Sequence, residues 1–129
     1  MTRGVAALRI AEDHDRAGRE REAVPKYLEA IGAGLDDPEL AGALHGLGST
    51  YRALGRYDEA EATLREGMAR FPDDATFAPF LAMTLYNLGR AREAVVLLLT
   101  TLVDTTGDPR INAYERAIRL YAADLDRCC

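Results

Sequence analysis

The sequence predicts an all-α fold of antiparallel helical hairpins, with three hairpins, a C-terminal capping helix and about seven helices in total. Apolar residues recur at helical spacing along the chain, and no segment shows the alternation that a half-buried β-strand requires. A short turn centred on glycine also occurs three times, each time between two helical patterns. These observations together favour repeated helix–turn–helix units.

The central hairpin, from Leu44 to Pro72, shows the pattern most clearly. Its first helix carries one face of apolar or small residues, namely Leu44, Leu47, Gly48, Tyr51 and Leu54. Gly48 lies in a helix interior, where glycine costs roughly 1 kcal/mol against alanine, so we expect a neighbouring helix to approach closely there. Gly55 suits the left-handed turn after that helix. The second helix ends before Pro72, because the residue preceding a proline is disfavoured in the helical region.

The glycine turn has the same arrangement in its three copies, Ala17–Ala23, Leu54–Ala60 and Leu88–Ala94, with glycine four residues before a Glu-Ala pair. The second and third copies are 34 residues apart, and the first and second are 37 apart. This spacing predicts one domain over residues 1–129. Its parts are repeats at about 4–37, 41–74 and 75–108, a capping helix at about 110–126 and a frayed tail at 127–129.

These residues resemble the tetratricopeptide repeat (TPR), whose period is about 34 residues and whose pattern is W-x2-L-G-x2-Y, A-x3-F, P. The central copy reads Leu44-x2-Leu47-Gly48-x2-Tyr51, Ala60-x3-Leu64 and Pro72, with leucine replacing the tryptophan and the phenylalanine. The chain is similar to small bacterial stand-alone proteins of the group-5 type of this repeat, which are thought to act as dimers. The resemblance implies a superhelix of hairpins, a protein or peptide partner and no enzymatic activity.

The first hairpin is a weaker copy. Its helices are predicted at about Thr2–Ala17 and Glu20–Ile31. Leu8, Ile10 and Ala11 supply the inward face of the first helix, because their spacing is helical.

The fifth helix is predicted to begin near Asp73 and Asp74, because acidic residues favour a helix N-terminus. Pro79 has no backbone N–H, so it predicts either a kink or a later start for this helix.

The sixth helix, Arg92–Val103, is apolar on every side. Its inward face is predicted to consist of Ala94, Leu98 and Leu102, and a surplus apolar surface consists of Val96, Leu97, Leu99 and Val103. A helix that is apolar all round is covered on more than one side. The surplus surface either pairs two copies about a two-fold axis, giving a homodimer, or is covered within the chain by a seventh helix.

That seventh helix follows a turn at Thr105–Pro109 and carries an apolar stripe made of Ile111, Tyr114, Ile118, Tyr121 and Leu125. It resembles the terminal capping helix that repeat arrays require.

Composition narrows the class of partner and the compartment. The formal charge is −5 and the pI about 5.0, whereas nucleic-acid binding needs a clustered basic face. No signal-peptide pattern begins the chain, and its longest apolar run is too short to span a membrane. We therefore expect a cytoplasmic protein that binds neither nucleic acid nor membrane. The adjacent Cys128 and Cys129 do not form a disulfide framework, and we interpret them as part of the frayed tail.

No chemical site is predicted. The sequence contains no nucleophile elbow, phosphate-binding glycine loop or zinc-ligand spacing, and His45 has no partner at metal-binding spacing. His14 lies among carboxylates, but consecutive residues on a helix point in different directions, so we interpret it as a partly buried inward residue. We therefore expect no catalytic residue, cofactor or metal.

The resemblance implies that the first helix of each repeat lines a concave groove. The matching positions are Glu12, Asp15, His45, Ser49, Arg52, Met83, Tyr86, Asn87 and Tyr121. Some family members hold a peptide carboxylate with lysine, asparagine and arginine. These residues are replaced here, and we therefore do not expect the chain to bind the tail of a chaperone. An acidic rim beside an apolar floor favours an extended or helical peptide. The alternative is that these residues are simply exposed, or are covered by the last helix.

Overall fold

The computed structural model describes residues 1–127, and every regular element in that range is an α-helix. The helices are α1 (Arg3–Arg16), α2 (Glu20–Ala33), α3 (Asp37–Ala53), α4 (Tyr57–Arg70), α5 (Phe77–Asn87), α6 (Ala91–Thr105), α7 (Pro109–Asn112) and α8 (Glu115–Ala122). Helices α1–α6 pair as three hairpins, and each hairpin packs on the next. The predicted all-α hairpin fold is confirmed.

Each hairpin turns at a glycine in the left-handed backbone region. Gly18, Gly55 and Gly89 have φ angles of 75°, 76° and 77°. The residue after each glycine donates its backbone N–H to the carbonyl five residues earlier; these bonds join Arg19 to His14, Arg56 to Tyr51 and Arg90 to Leu85. Residues with a Cβ rarely adopt this φ, which explains why glycine occurs at the same point in each turn.

Helix α5 begins at Phe77, later than Asp73 and Asp74 suggested. The Asp74 carboxylate instead accepts hydrogen bonds from the hydroxyl and backbone N–H of Thr76, at 2.5 and 2.9 Å, and so forms the turn before the helix. These bonds hold the pKa of Asp74 below its ordinary value. Pro79 is the third residue of α5, where a helix leaves its N–H groups without an intrahelical partner. The proline therefore delays the start of the helix, and its missing N–H removes no intrahelical bond.

The core consists of two clusters, one within and between the first two hairpins and one between the second and third. Glycines allow large side chains to pack closely in both. A Cβ at Gly48 would lie 2.6 Å from Leu64 Cγ, and a Cβ at Gly67 would lie 2.3 Å from Phe77 Cε1. Leu64 and Phe77 are fully buried as a result. The close helix approach predicted at Gly48 is the contact with Leu64 on α4.

Two predictions about inward faces are wrong, and both concern the ends of the repeat array. Ile10 on α1 is 43% exposed, because no helix within residues 1–127 packs on this side of α1, whereas the equivalent Leu47 on α3 packs against the first hairpin. Leu98 and Leu102 on α6 are 44% and 41% exposed. Leu64, which lies 34 residues before Leu98, is buried because it packs in the same cluster as Phe77 of α5. Within residues 1–127, α8 packs on α6 but leaves Leu98 and Leu102 exposed.

The C-terminal segment is divided into two short helices, α7 and α8, with a break at Ala113 and Tyr114. Helix α8 packs against α6, and ion pairs join Arg119 to Asp104 and Arg92 to Asp126. The prediction of a frayed tail with Cys128 and Cys129 lies outside the described residues apart from Arg127.

Candidate functional site

The first helices of the three hairpins, α1, α3 and α5, lie side by side and form one continuous surface, which we call the first-helix face. A side-chain hydrogen bond joins each neighbouring pair of these three helices. Asp15 on α1 contacts Thr50 on α3, and Arg52 on α3 contacts Asn87 on α5. The structure therefore brings most of the sequence-predicted groove residues onto neighbouring helices.

At the α1 end, the two predicted acidic residues are both engaged. Asp15 Oδ2 accepts a hydrogen bond from the Tyr27 hydroxyl at 2.9 Å and a longer one from the Thr50 hydroxyl at 3.4 Å. Burial of Tyr27, together with its bond to Asp15, raises the pKa of the phenol above its ordinary value. Glu12 accepts a bond from Arg9 at 2.8 Å. The carboxylates at this end thus have protein partners, and the rim offers less free negative charge than the sequence suggested.

The middle of the face is formed by α3, where His45, Ser49 and Arg52 share one side of the helix by their i, i+4, i+7 spacing. The His45 ring packs edge-on against the Phe80 ring, with centroids 4.5 Å apart. Ser49 donates its hydroxyl to the Gly46 carbonyl at 3.2 Å. His45 therefore has an aromatic packing role between α3 and α5.

Arg52 and Asn87 connect α3 to α5 near the C-terminal ends of both helices. Arg52 Nε donates a hydrogen bond to Asn87 Oδ1 at 2.8 Å. The pair is partly buried, and it fixes the orientation of the guanidinium group on the first-helix face.

On α5, the face is apolar and open. Met83, Tyr86 and Asn87 lie on one side of the helix by their i, i+3, i+4 spacing. Met83 is 37% exposed and Tyr86 is 69% exposed. Helix α5 contains no charged residue, so this part of the surface is uncharged along its whole length.

Tyr121, the remaining predicted groove residue, lies elsewhere. It lines an open groove of about 630 Å³ between α6 and the C-terminal helices, whose other lining residues are Leu102, Asp108, Arg110, Ile111, Tyr114, Ala117 and Ile118. This groove is mostly apolar, and we call it the C-terminal groove.

The residues predicted for self-association lie on different sides of α6. Val103 is buried within the chain, and Leu97 packs against the core cluster that contains Leu64 and Phe77. Val96 lines a second groove of about 630 Å³ beside Arg65 and Arg90. Leu99 is half-buried. For Val103 and Leu97 the structure favours the second of the two alternatives, because both contribute to packing inside the chain.

The large apolar side chains that α6 leaves open are instead Val95, Leu98 and Leu102, which share one side of the helix. We call them the α6 stripe. Sequence reasoning missed this surface by assigning Leu98 and Leu102 to the interior. The signal that could have revealed it is the 34-residue spacing, because Leu98 corresponds to Leu64 but residues 106–127 contain no second pattern of a full hairpin that could bury it.

No metal-binding cluster of three or more His, Cys, Asp or Glu side chains occurs within residues 1–127. Over the same range, no helix combines the length and the hydrophobicity needed to cross a membrane.

Comparison with models of protein families identifies the family of this chain. A family model described as tetratrico peptide repeat, of the group-5 type, matches residues 4–125, which is nearly the whole chain. The search of curated proteins found no match.

Proposed function

Because the chain belongs to the tetratrico peptide repeat family, we propose that it is a scaffold without catalytic activity that binds a segment of a partner protein on its first-helix face. The family suggests a protein–protein interaction module in general terms. The observation that carries the more specific proposal is the open, uncharged surface of α5, with Met83 and Tyr86 at its centre.

Such a surface is suited to a peptide for two reasons. Tyrosine supplies a large, rigid contact area and a polar tip, and aromatic residues of this kind dominate the energetics of many interfaces. Methionine is flexible and polarizable, so it adapts to apolar side chains of different shapes. The partner segment is therefore expected to place apolar residues on α5, as an extended strand or as one face of a helix.

Replacing Tyr86 by alanine should weaken peptide binding. A library of random 12-residue peptides displayed on phage would first be selected against the wild-type protein. The affinity of the selected peptides would then be measured by fluorescence anisotropy. Loss of an aromatic contact in an interface often costs more than about 1 kcal/mol, so we expect roughly a fivefold or larger rise in Kd.

The matched control is Leu28→Ala, because Leu28 is 49% exposed on α2, outside the first-helix face. This variant should bind the selected peptides like the wild type. Peptides whose affinity is insensitive to both Tyr86→Ala and Met83→Ala would contradict the proposed binding face.

A second candidate function is self-association, and the α6 stripe favours it. Val95, Leu98 and Leu102 expose apolar area at the end of the array where a further hairpin would otherwise pack. Tyr114 and Tyr121, beside the C-terminal groove, extend this apolar area. An isologous pairing of two chains through this end would cover both copies of the stripe in one homodimer.

Leu98→Glu should abolish such a homodimer without unfolding the chain, because Leu98 is already substantially exposed. Light scattering in reducing buffer should give twice the 14.1 kDa chain mass for the wild type and 14.1 kDa for the variant. Leu28→Glu introduces the same charge at a similarly exposed leucine and should leave the dimer intact. A wild-type mass of 14.1 kDa would exclude this candidate.

The proposal of a peptide-binding scaffold also includes a cytoplasmic location and a partner other than nucleic acid or membrane. The net charge of −5 supports a partner other than nucleic acid. So does the pairing of many arginines with neighbouring carboxylates, as in Arg56 with Glu59 and Arg90 with Glu61.

A further inference from the structure

Arg52 differs from every other arginine in residues 1–127. It is half-buried, whereas the other arginines in this range are exposed. Many of these exposed arginines form an ion pair with a carboxylate, as Arg65 does with Glu61 and Arg119 does with Asp104. Within the part of the chain that the structure describes, no carboxylate lies within 4.0 Å of the Arg52 guanidinium nitrogens.

The guanidinium is nevertheless held in place. Its Nε donates to Asn87 Oδ1 at 2.8 Å, and this bond uses one of the five N–H donors of the group. The two terminal nitrogens make no hydrogen bond to residues 1–127. Neither nitrogen is fully buried, because every fully buried side-chain nitrogen or oxygen in this range has a hydrogen-bond partner. Arg52 therefore presents an oriented, unpaired fork of donors on the first-helix face.

We infer that Arg52, oriented by Asn87, binds the carboxylate of an aspartate or glutamate side chain in the partner segment. This inference rests on the proposed function, because it names a feature of the segment bound on the same face. A planar guanidinium matches a carboxylate with two parallel hydrogen bonds, and such charged pairs are stronger than neutral ones. A half-buried, unpaired cation gains most from an anion that arrives with the partner, since a partly desolvated charge interacts more strongly.

The position of the pair favours a singly charged group over a phosphate. Arg52 is the second-last residue of α3, and Asn87 is the last residue of α5. The C-terminal ends of helices carry partial negative charge, which offsets part of the Arg52 charge and disfavours a dianion. The side chains with which some family members hold a peptide carboxylate are replaced here, so a side-chain carboxylate within the segment is the better match. Met83 and Tyr86 lie on the same side of α5 as Asn87, so the acid should have apolar neighbours in the segment.

The test uses the phage library with every peptide fused through its C-terminus to the coat protein, so that side chains are its only carboxylates. We expect the selected peptides to share an aspartate or glutamate beside apolar residues. In synthetic peptides with amidated ends, changing that acid to its amide should raise Kd about tenfold or more with the wild type. With Arg52→Gln the same change should have little effect.

Two variants and one exchange separate recognition from a purely structural role. Arg52→Lys keeps the charge but loses the fork, and it should give an intermediate affinity. Arg21→Gln removes an exposed arginine from α2 and should bind like the wild type. Arg52→Glu should recover affinity for a peptide whose acid is replaced by arginine, which a role in folding alone does not explain. If Arg52 variants fail to fold, the acid-to-amide comparison with the wild type still decides the inference.

The outcomes separate this inference from the function on which it rests. Selected peptides that depend on Tyr86 but show no acid, or an acid whose change to the amide leaves Kd unaltered, would overturn the inference and leave the proposed function standing. A selection that yields no Tyr86-dependent peptide would contradict the proposed function itself, and the inference with it.

Discussion

Phe77→Ala should lower the free energy of unfolding by about 3–5 kcal/mol, which is the usual cost of removing a fully buried aromatic ring. The ring packs where Gly67 has no side chain, so that a Cβ at Gly67 would lie only 2.3 to 2.7 Å from three of its carbons. Truncation would leave a cavity bordered by glycine backbone, which cannot extend to fill it. A domain of this size is stable by about 5–15 kcal/mol, so the loss is a large fraction of the total.

Urea denaturation followed by far-ultraviolet circular dichroism would measure this change. The control is Phe80→Ala, because Phe80 is only half-buried and packs at the edge of the same cluster. Its loss should be clearly smaller. Equal losses for the two variants would show that Phe77 is not the central contact between α4 and α5.

Gly48→Leu should destabilise the fold by about 1–3 kcal/mol through overpacking. The new side chain would begin 2.6 Å from both Cγ and Cδ2 of Leu64, which is fully buried and has no free space to enter. The strain is partly masked by helix propensity, because glycine is less favourable in a helix than alanine by about 0.8–1.0 kcal/mol and leucine ranks next after alanine.

Gly42→Leu on the same helix isolates the strain from the propensity. Gly42 has no atom within 4 Å of its Cβ position, so this variant should gain the propensity without the clash and become slightly more stable. The difference between the two variants in melting temperature or urea midpoint reports the contact with Leu64. Identical midpoints would mean that α3 and α4 do not meet at Gly48.

The hairpins could be predicted because their signals are local. A glycine at φ near 76° and the Glu-Ala pair after it lie within a few residues of each other, so the sequence alone reveals each turn. The beginning of α5 was less predictable, because Asp74 can either start a helix or close a turn with Thr76. The hydrogen bonds to Thr76 show that it closes the turn.

The exposure of α6 could not be read from its own residues. Leu64 and Leu98 occupy equivalent places in their hairpins, yet one is fully buried and the other 44% exposed. The difference depends on whether another helix packs on top, which is a property of the whole array. The break between α7 and α8 is similar, because their apolar stripe continues through Tyr114 while the backbone does not remain helical.

The candidate site was partly predictable. Repeat position placed Arg52 and Asn87 on the first-helix face, but the bond between them joins residues that are 35 apart in sequence. The sequence also cannot predict whether a carboxylate pairs with Arg52, because acidic residues elsewhere in the chain could have reached it. Only the three-dimensional arrangement shows that its terminal nitrogens have none within residues 1–127.

The attachment of α8 determines how the chain opens. Helices α3 and α5 each pack on neighbours on both sides, whereas α8 packs mainly on α6 and has Ala122 as its buried residue. Two exposed ion pairs hold this segment to α6, one from Arg119 on α8 and one from Asp126 just after it. In an array of units that contact their neighbours, the least supported end separates first. Amide hydrogens of α8 should therefore exchange with deuterium before those of α3. High salt screens the two ion pairs, so the difference in exchange rate between α8 and α3 should increase while the amides of the interior hairpins stay protected.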